Sequence, residues 1–322
     1  MIVVLVLSLG AAAFFGAADF VGGLASRKVE ALTIALASQA LGLVLFAAVV
    51  LALPSARPQG ADLAWGVSSG VSSGIAIALL YRALAAGTMS IVAPITAVTS
   101  AAVPVALGLG IGERPGRLAL VGVGVALVAI ALVSRSSDDP TVGRTRTAGV
   151  VLFCAFGAGF SFGVTFFLLS RTSEQAGLWP LLGARTAAVT VLAITWAAVS
   201  QRDLITKSLR WRGVWGYLKT YRGAGGPLER RPFQHGASGL DMAVLVRAAP
   251  LATLTGALDV SANVLFLFAV HQGMVSLVAV LTSLTPASTV FLARVVLRER
   301  ISLVQVIGLG AAAVAVMLIA LG

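Results

Sequence analysis

The chain has 322 residues, 58% of them hydrophobic and only 11% charged, with a mean hydropathy of +1.00. Soluble domains are about 25% charged, so a soluble core cannot hide this composition; the class that remains is a polytopic membrane protein. The net charge of +11 would suggest nucleic acid in a soluble chain, but most of the excess lies in loops beside apolar runs, where positive charge reports topology, and nucleic acid is not an expected partner. One cysteine, Cys154, excludes an intrachain disulfide, two histidines leave little for a metal site, and no cofactor is expected.

The first apolar run begins near Ile2 and ends before Arg27. It lacks a basic leader and holds Asp19, so it reads as a retained helix and not as a cleaved signal. Further spans are expected at about 31–53, 62–85, 89–110 and 116–134, then, after a polar linker at 135–147, at about 148–170, 178–199, 242–270, 274–296 and 301–321. Each is near the ~20 residues that a ~30 Å hydrocarbon layer requires. Between the seventh and eighth spans lies one long loop, 201–240, rich in Arg, Gly and Pro. Its segment WRGVWGYLKTYR mixes aromatic and basic residues, which suits attachment to anionic lipid at the membrane surface.

Two stretches of the chain repeat each other. Gly87–Glu113 returns as Gly273–Glu299 at a fixed offset of 186, which pairs Ser90 with Ser276, Val92 with Val278, Ala93 with Ala279, and Thr96 with Thr282. The echo continues to Gly122 with Gly308 and Gly124 with Gly310. GAAAFFG at Gly10–Gly16 also resembles GAGFSFG at Gly157–Gly163, at an offset of 147; the long loop accounts for the difference between the two offsets. This pattern is one duplication with a later insertion. The expected fold is therefore an all-α polytopic membrane protein of ten transmembrane helices, built as two five-helix repeats at 1–134 and 148–322. An odd number of spans per repeat makes the repeats inverted. Loops after odd-numbered spans carry fifteen Lys and Arg against four in the others, which puts odd loops in the cytoplasm; without the long insertion the ratio is seven to four, and orientation stays open.

Ionisable residues inside apolar spans are functional candidates, because an unpaired charge in lipid costs several kcal/mol. Asp19 and Asp259 are the acids well inside, and Arg82, Arg185, Arg247 and Arg294 are the bases. Asp19 shares a helix face with Phe15, and Asp259 shares one with Asn263 and Phe266. An acid, an amide and an aromatic surface suit a small solute with a polar head; either acid could instead bind a coupling proton, or pair structurally with one of the arginines. His271 reads as a hydrogen-bonding residue at a span boundary. Pro94, Pro104 and Pro286 each remove a backbone donor and can open the helix ladder onto a cavity. Glu113 and Glu299 end their spans, and the dipole of the next helix favours each of them there. No GxxxxGK[ST], HExxH or GxSxG pattern occurs, which argues against ATP-driven pumping and against hydrolase chemistry.

SIVAPITAVTSAAVPVALGLGIGE at 90–113, its echo at 276–299, the aromatic-glycine start FFGAADFVGG at 14–23 and the five-plus-five plan together resemble the EamA-type ten-helix permeases of the drug/metabolite transporter superfamily. The resemblance covers nearly the whole chain. It implies a secondary permease, an exporter or exchanger of amino acids, other metabolites or drugs, in a bacterial cytoplasmic membrane. Carried over by position, it favours Phe15, Asp19, Tyr81, Pro94, Thr96, Phe160, Asp259, Asn263, Thr282 and Thr285 as cavity residues. The chain departs from the pattern at Val280, where the first repeat has Pro94, and in the long loop. Two other readings remain open. One is a membrane scaffold or receptor that works through 201–240, and the other is a lipid-modifying enzyme, for which no convergent nucleophile and base are evident. Substrate identity and oligomeric state are not legible.

Overall fold

A computed structural model describes the backbone of residues 1–26, 31–52, 60–86, 89–134, 148–220, 242–298 and 302–322; side chains at 81, 84–86, 89–91, 148, 200–220 and 242–248 lie outside the description. The elements are helices throughout: α1 (Ile2–Ser26), α2 (Ala31–Ala52), α3 (Gly60–Ala86), α4 (Met89–Gly110), α5 (Arg117–Val133), α6 (Ala148–Leu169), α7 (Trp179–Thr220), α8 (Met242–Gln272), α9 (Val275–Thr282), α10 (Thr285–Val296) and α11 (Leu303–Leu321). Among the described residues, nine segments are long and apolar enough to cross a membrane, with α9 and α10 counted as one, and the apolar α5 is slightly shorter at 17 residues. The chain is an all-α integral membrane protein.

Two boundaries differ from the sequence expectation. The loop expected over 201–240 is helical in its first half, because α7 continues without a break to Thr220. That extension contains no Pro, and its only Gly residues are Gly213 and Gly216, so nothing in it forces the helix to stop. Residues 221–240 of the expected loop, and the linker at 135–147, lie outside the described residues. The ninth span is not one helix. It breaks between α9 and α10 at Ser283 and Leu284.

Pro286 causes the break. In a continuous helix its N–H would bond the Thr282 carbonyl, and proline has none to give. The Thr285 hydroxyl donates to that carbonyl instead, at 2.8 Å. The neighbouring amides tighten into shorter turns, Leu284 donating to Leu281 at 3.3 Å and Ala287 to Leu284 at 2.9 Å. Pro94 and Pro104, by contrast, sit inside α4 without interrupting it.

Packing is inside-out relative to a soluble protein. Large apolar side chains such as Val44, Phe153, Phe156, Phe291 and Leu303 face outward, while small residues line the helix contacts. Lipid offers Leu as good a home as a protein core does, so close backbone approach drives association. Gly66, Gly70 and Gly74 form one stripe on α3, and a Cβ at Gly66 or Gly70 would overlap the α7 backbone at Pro180 or Ala184. Gly42 of α2 lies against Gly256 of α8 in the same way.

The contacts recur in pairs. α1 packs on α8 and α3 on α6; α3 packs on α7 and α2 on α8; α4 packs on α6, and α1 on the α9–α10 segment. α5 and α11 run antiparallel, with Gly116 beside Gly322 and Val133 beside Gly308. Their contact is reciprocal: Gly122 rests on Leu318 and Ile319, and Gly308 rests on Leu132 and Val133. Each member of the first contact is related to one of the second by the sequence offset of 186.

Candidate functional site

Three helices bring one ion pair and one amide together inside the protein. Arg185 lies on the inward stripe of α7 with Leu181, Ala188 and Leu192, and is 6% exposed. Its guanidinium donates through one nitrogen to Asp259 Oδ2 on α8 and through the other to Gln39 Oε1 on α2. Gln39 closes the triangle, its Nε2 donating to the same Asp259 oxygen at 3.4 Å. Both ends of the amide are therefore used. A buried charge is tolerable when it is paired and hydrogen-bonded, and this arrangement satisfies Arg185 from two sides.

The backbone approaches described above position the triangle. Gly256, one turn before Asp259, lies against the Ser38 carbonyl, next to Gln39. Gly70 of α3 lies against the Ala184 carbonyl, next to Arg185. Small residues at these crossings hold α2 close to α8, and α7 close to α3, beside the residues whose side chains meet.

Asp19 of α1 lies within electrostatic reach of Asp259. It shares the face of Ser8, Ala12 and Phe15, at helical steps of four, three and four, and that face is otherwise turned into the protein. Yet Asp19 is exposed. One turn earlier, Phe15 meets Phe166 of α6 edge-on with ring centres 6.2 Å apart, and Gly16 abuts Ser288 of α10. One turn later, Gly22 abuts Thr255 of α8. An exposed residue between contacts to three helices opens into the interior of the bundle and not toward lipid. Phe166 continues to the fully buried Phe266, ring centres 4.6 Å apart, so Phe15, Phe166 and Phe266 make a connected aromatic cluster.

Phe15, Asp19, Asp259 and Phe266 thus fall into one region. Asn263 is on the same face of α8 as Asp259, but its Nδ2 donates at 2.8 Å to the Asp259 main-chain carbonyl. Thr282 is fully buried at the α9–α10 break and Thr285 bridges that break. Thr96 is spent on a helix contact, its hydroxyl donating to the Ala155 carbonyl at 3.1 Å; Pro94, half-buried, lies two residues before it on α4. Phe160 lies apart: at 49% exposed it continues the outward stripe of Phe153 and Phe156 on α6. The side chain of Tyr81 lies outside the described residues. His271 has the hydrogen-bonding role expected of it, with Nε2 2.9 Å from the Thr172 carbonyl oxygen.

Sequence reasoning missed Gln39 and Phe166, and named Arg185 only as one of four bases within the spans. The signal for Gln39 was present: it is an amide in an otherwise apolar span, and the rule that singles out buried charges extends to buried amides. Phe166 carried no such signal among the many aromatics of its span. Glu113 also has a different partner from the one expected. Its Oε1 accepts from the Val275 amide at 2.7 Å and its Oε2 from the Ser276 amide at 3.0 Å, so it caps α9 and not the next helix, α5.

The model of the EamA-like transporter family matches residues 2–135 and 233–321, more than half of the chain. The chain belongs to the EamA-like transporter family. Members of this family are transporters and not enzymes, and among the described residues no group of three His, Cys, Asp or Glu is placed to hold a metal. No curated protein matches the chain. A crystal structure of an unspecified protein shares the fold, with a TM-score of 0.61 and 14% identity over 99% of this chain and 96% of that one.

Proposed function

We propose that this EamA-family chain is a secondary transporter, an exporter or exchanger of a small organic solute, and that its two five-span halves, 1–134 and 148–322, are inverted repeats. The reciprocal contact of Gly122 with Ile319 and Gly308 with Val133 carries the architectural part. When antiparallel helices exchange equivalent residues across their contact, the operation relating them is a twofold axis perpendicular to both, and for spanning helices that axis lies in the membrane plane. The same axis brings Gln39 against Arg185, because their neighbours Ser38 and Ala184 receive the equivalent glycines Gly256 and Gly70. In this reading the hydrogen bonds from Gln39 of the first half to Arg185 and Asp259 of the second join the halves, and a site between halves is what alternating access needs.

In this reading Asp19 and Asp259, with Phe15 and Phe266, bind the solute or a coupling proton. Thr282 and Thr285 mark the bend that one half carries and the other lacks. The setting is a bacterial cytoplasmic membrane, and the basic stretch after residue 200 rests on anionic lipid. The test is export of a broad solute panel from vesicles holding the purified protein, with and without a proton gradient. Gradient-dependent movement of at least one solute is expected. Unchanged flux and unchanged pH dependence in both Asp19→Asn and Asp259→Asn would sink the assignment of the coupling role.

A further inference from the structure

We infer that the opening at Asp19 takes an organic cation with an apolar, aromatic-compatible body. This deepens the transport reading and rests on it for the meaning of the site. The first observation is charge. Asp19 and Asp259 bring two carboxylates to the region and Arg185 brings one guanidinium, which Asp259 and Gln39 already engage on both sides. Among the described residues this leaves Asp19 as the carboxylate that Arg185 does not engage, and it is the residue that opens into the bundle. A zwitterion or an anion entering here would set its own carboxylate against Asp19 and Asp259, with Arg185 already committed. A cation is complementary without breaking the triangle.

The second observation is the aromatic cluster. Phe15 is one helical turn from Asp19, so the two side chains are neighbours on one face. Phe15 leads to Phe166, and the fully buried Phe266 packs behind Phe166, so the apolar surface beside the acid is that of Phe15 and Phe166. Aromatic faces attract cations as well as apolar rings. The third observation is a polar group on the far side. Thr255 lies against Gly22, one turn beyond Asp19, and one turn before Asp259 on its own helix. Its hydroxyl is buried with no hydrogen-bond partner among the described residues, and an ammonium N–H reaching it would satisfy it.

The experiment is isothermal titration of the purified full chain in micelles with benzyltrimethylammonium, whose charge does not change with pH. Phenylacetate and phenylalanine serve as the anionic and zwitterionic comparators. The cation should bind more tightly than either. Asp19→Asn should weaken it by about tenfold or more, while Asp19→Glu, which keeps the charge, should stay within about threefold of the parent. Tighter binding of phenylacetate or phenylalanine overturns the inference, as does undiminished cation binding by Asp19→Asn, or no binding of the cation. If Asp19→Asn does not fold, as judged by gel filtration, the ranking of the three probes on the parent chain and on Asp19→Glu decides. Flux in vesicles separates the two readings: cation binding without movement of any solute sinks the transporter and leaves the site, and movement of the anion or zwitterion without cation binding does the reverse.

Discussion

The Glu113 carboxylate, in the turn between α4 and α5, accepts the Val275 amide at 2.7 Å, at the start of α9. With the Ser276 amide at 3.0 Å on its other oxygen, it occupies the amino end of a helix whose own preceding residue, Met274, provides no side-chain cap. Gly108 makes room for it, since a Cβ there would overlap Oε2.

Removing this carboxylate should therefore weaken the contact between the α4–α5 turn and α9. Two orphan amides lose an ionised acceptor, and hydrogen bonds to charged groups contribute about 1.5–3 kcal/mol. Glu113→Ala is expected to cost about 2 kcal/mol and Glu113→Gln less, because the amide keeps one acceptor oxygen. Thermal unfolding in micelles measures both. Equal losses for the two variants would remove charge from the account.

The glycine pairs give a sharper test of the reciprocal packing. A Cβ at Gly122 would approach Ile319 Cγ1 to 2.8 Å, and one at Gly308 would approach Val133 Cγ2 to 2.7 Å. Gly122→Ala and Gly308→Ala should each destabilise by about 1–3 kcal/mol through overpacking, and by similar amounts. Gly124 and Gly310, also paired by the offset of 186, meet nothing within 4 Å. Their alanine variants should be neutral or stabilising by up to about 1 kcal/mol, as helix propensity alone dictates. Four melting temperatures decide this. A loss at Gly124 matching that at Gly122 would contradict the α5–α11 contact.

Much of this architecture was legible, and what was not has physical reasons. Span positions follow from hydropathy, because lipid admits no backbone that is not satisfied within its own helix. The sequence echo of Gly122 in Gly308 was visible, though only the fold shows each of them against the other's helix. Asp19, Asp259 and Phe15 stood out by rarity or periodicity. The partnership of Arg185 with Gln39 did not, since it joins residues 146 positions apart through backbone crossings that no local pattern encodes. The helix break was half-legible: a proline announces a missing donor, but Pro94 and Pro104 announce the same and α4 runs straight through. Which proline bends its helix depends on what packs around it.

The buried triangle predicts strong coupling between its charges. Asp259→Asn or Arg185→Gln should each destabilise by about 3–5 kcal/mol, because each leaves one charge buried without its counter-ion. Arg185→Met combined with Asp259→Leu should recover most of that loss, since no charge is then stranded. Flux should be lost in all three. A double variant as unstable as the sum of the singles, measured by thermal unfolding, would show that Arg185 and Asp259 do not depend on each other.

The bend between α9 and α10 makes a prediction in which two residues stand in for one hydrogen bond. Pro286 cannot donate to the Thr282 carbonyl, and the Thr285 hydroxyl does so at 2.8 Å. Thr285→Val should therefore cost about 1–2 kcal/mol, the penalty of a buried acceptor left bare, while Thr285→Ser should cost little. In a Pro286→Ala background the restored amide can serve the same carbonyl, so Thr285→Val should then be nearly neutral. The coupling energy of this cycle should be about as large as the single loss. Pro286→Ala should also lower flux, because a continuous ninth span, like α4, loses the break at Ser283 and Leu284. If Thr285→Val costs the same with and without Pro286, the hydroxyl is packing and not substituting for the missing donor, and the proline alone shapes the bend.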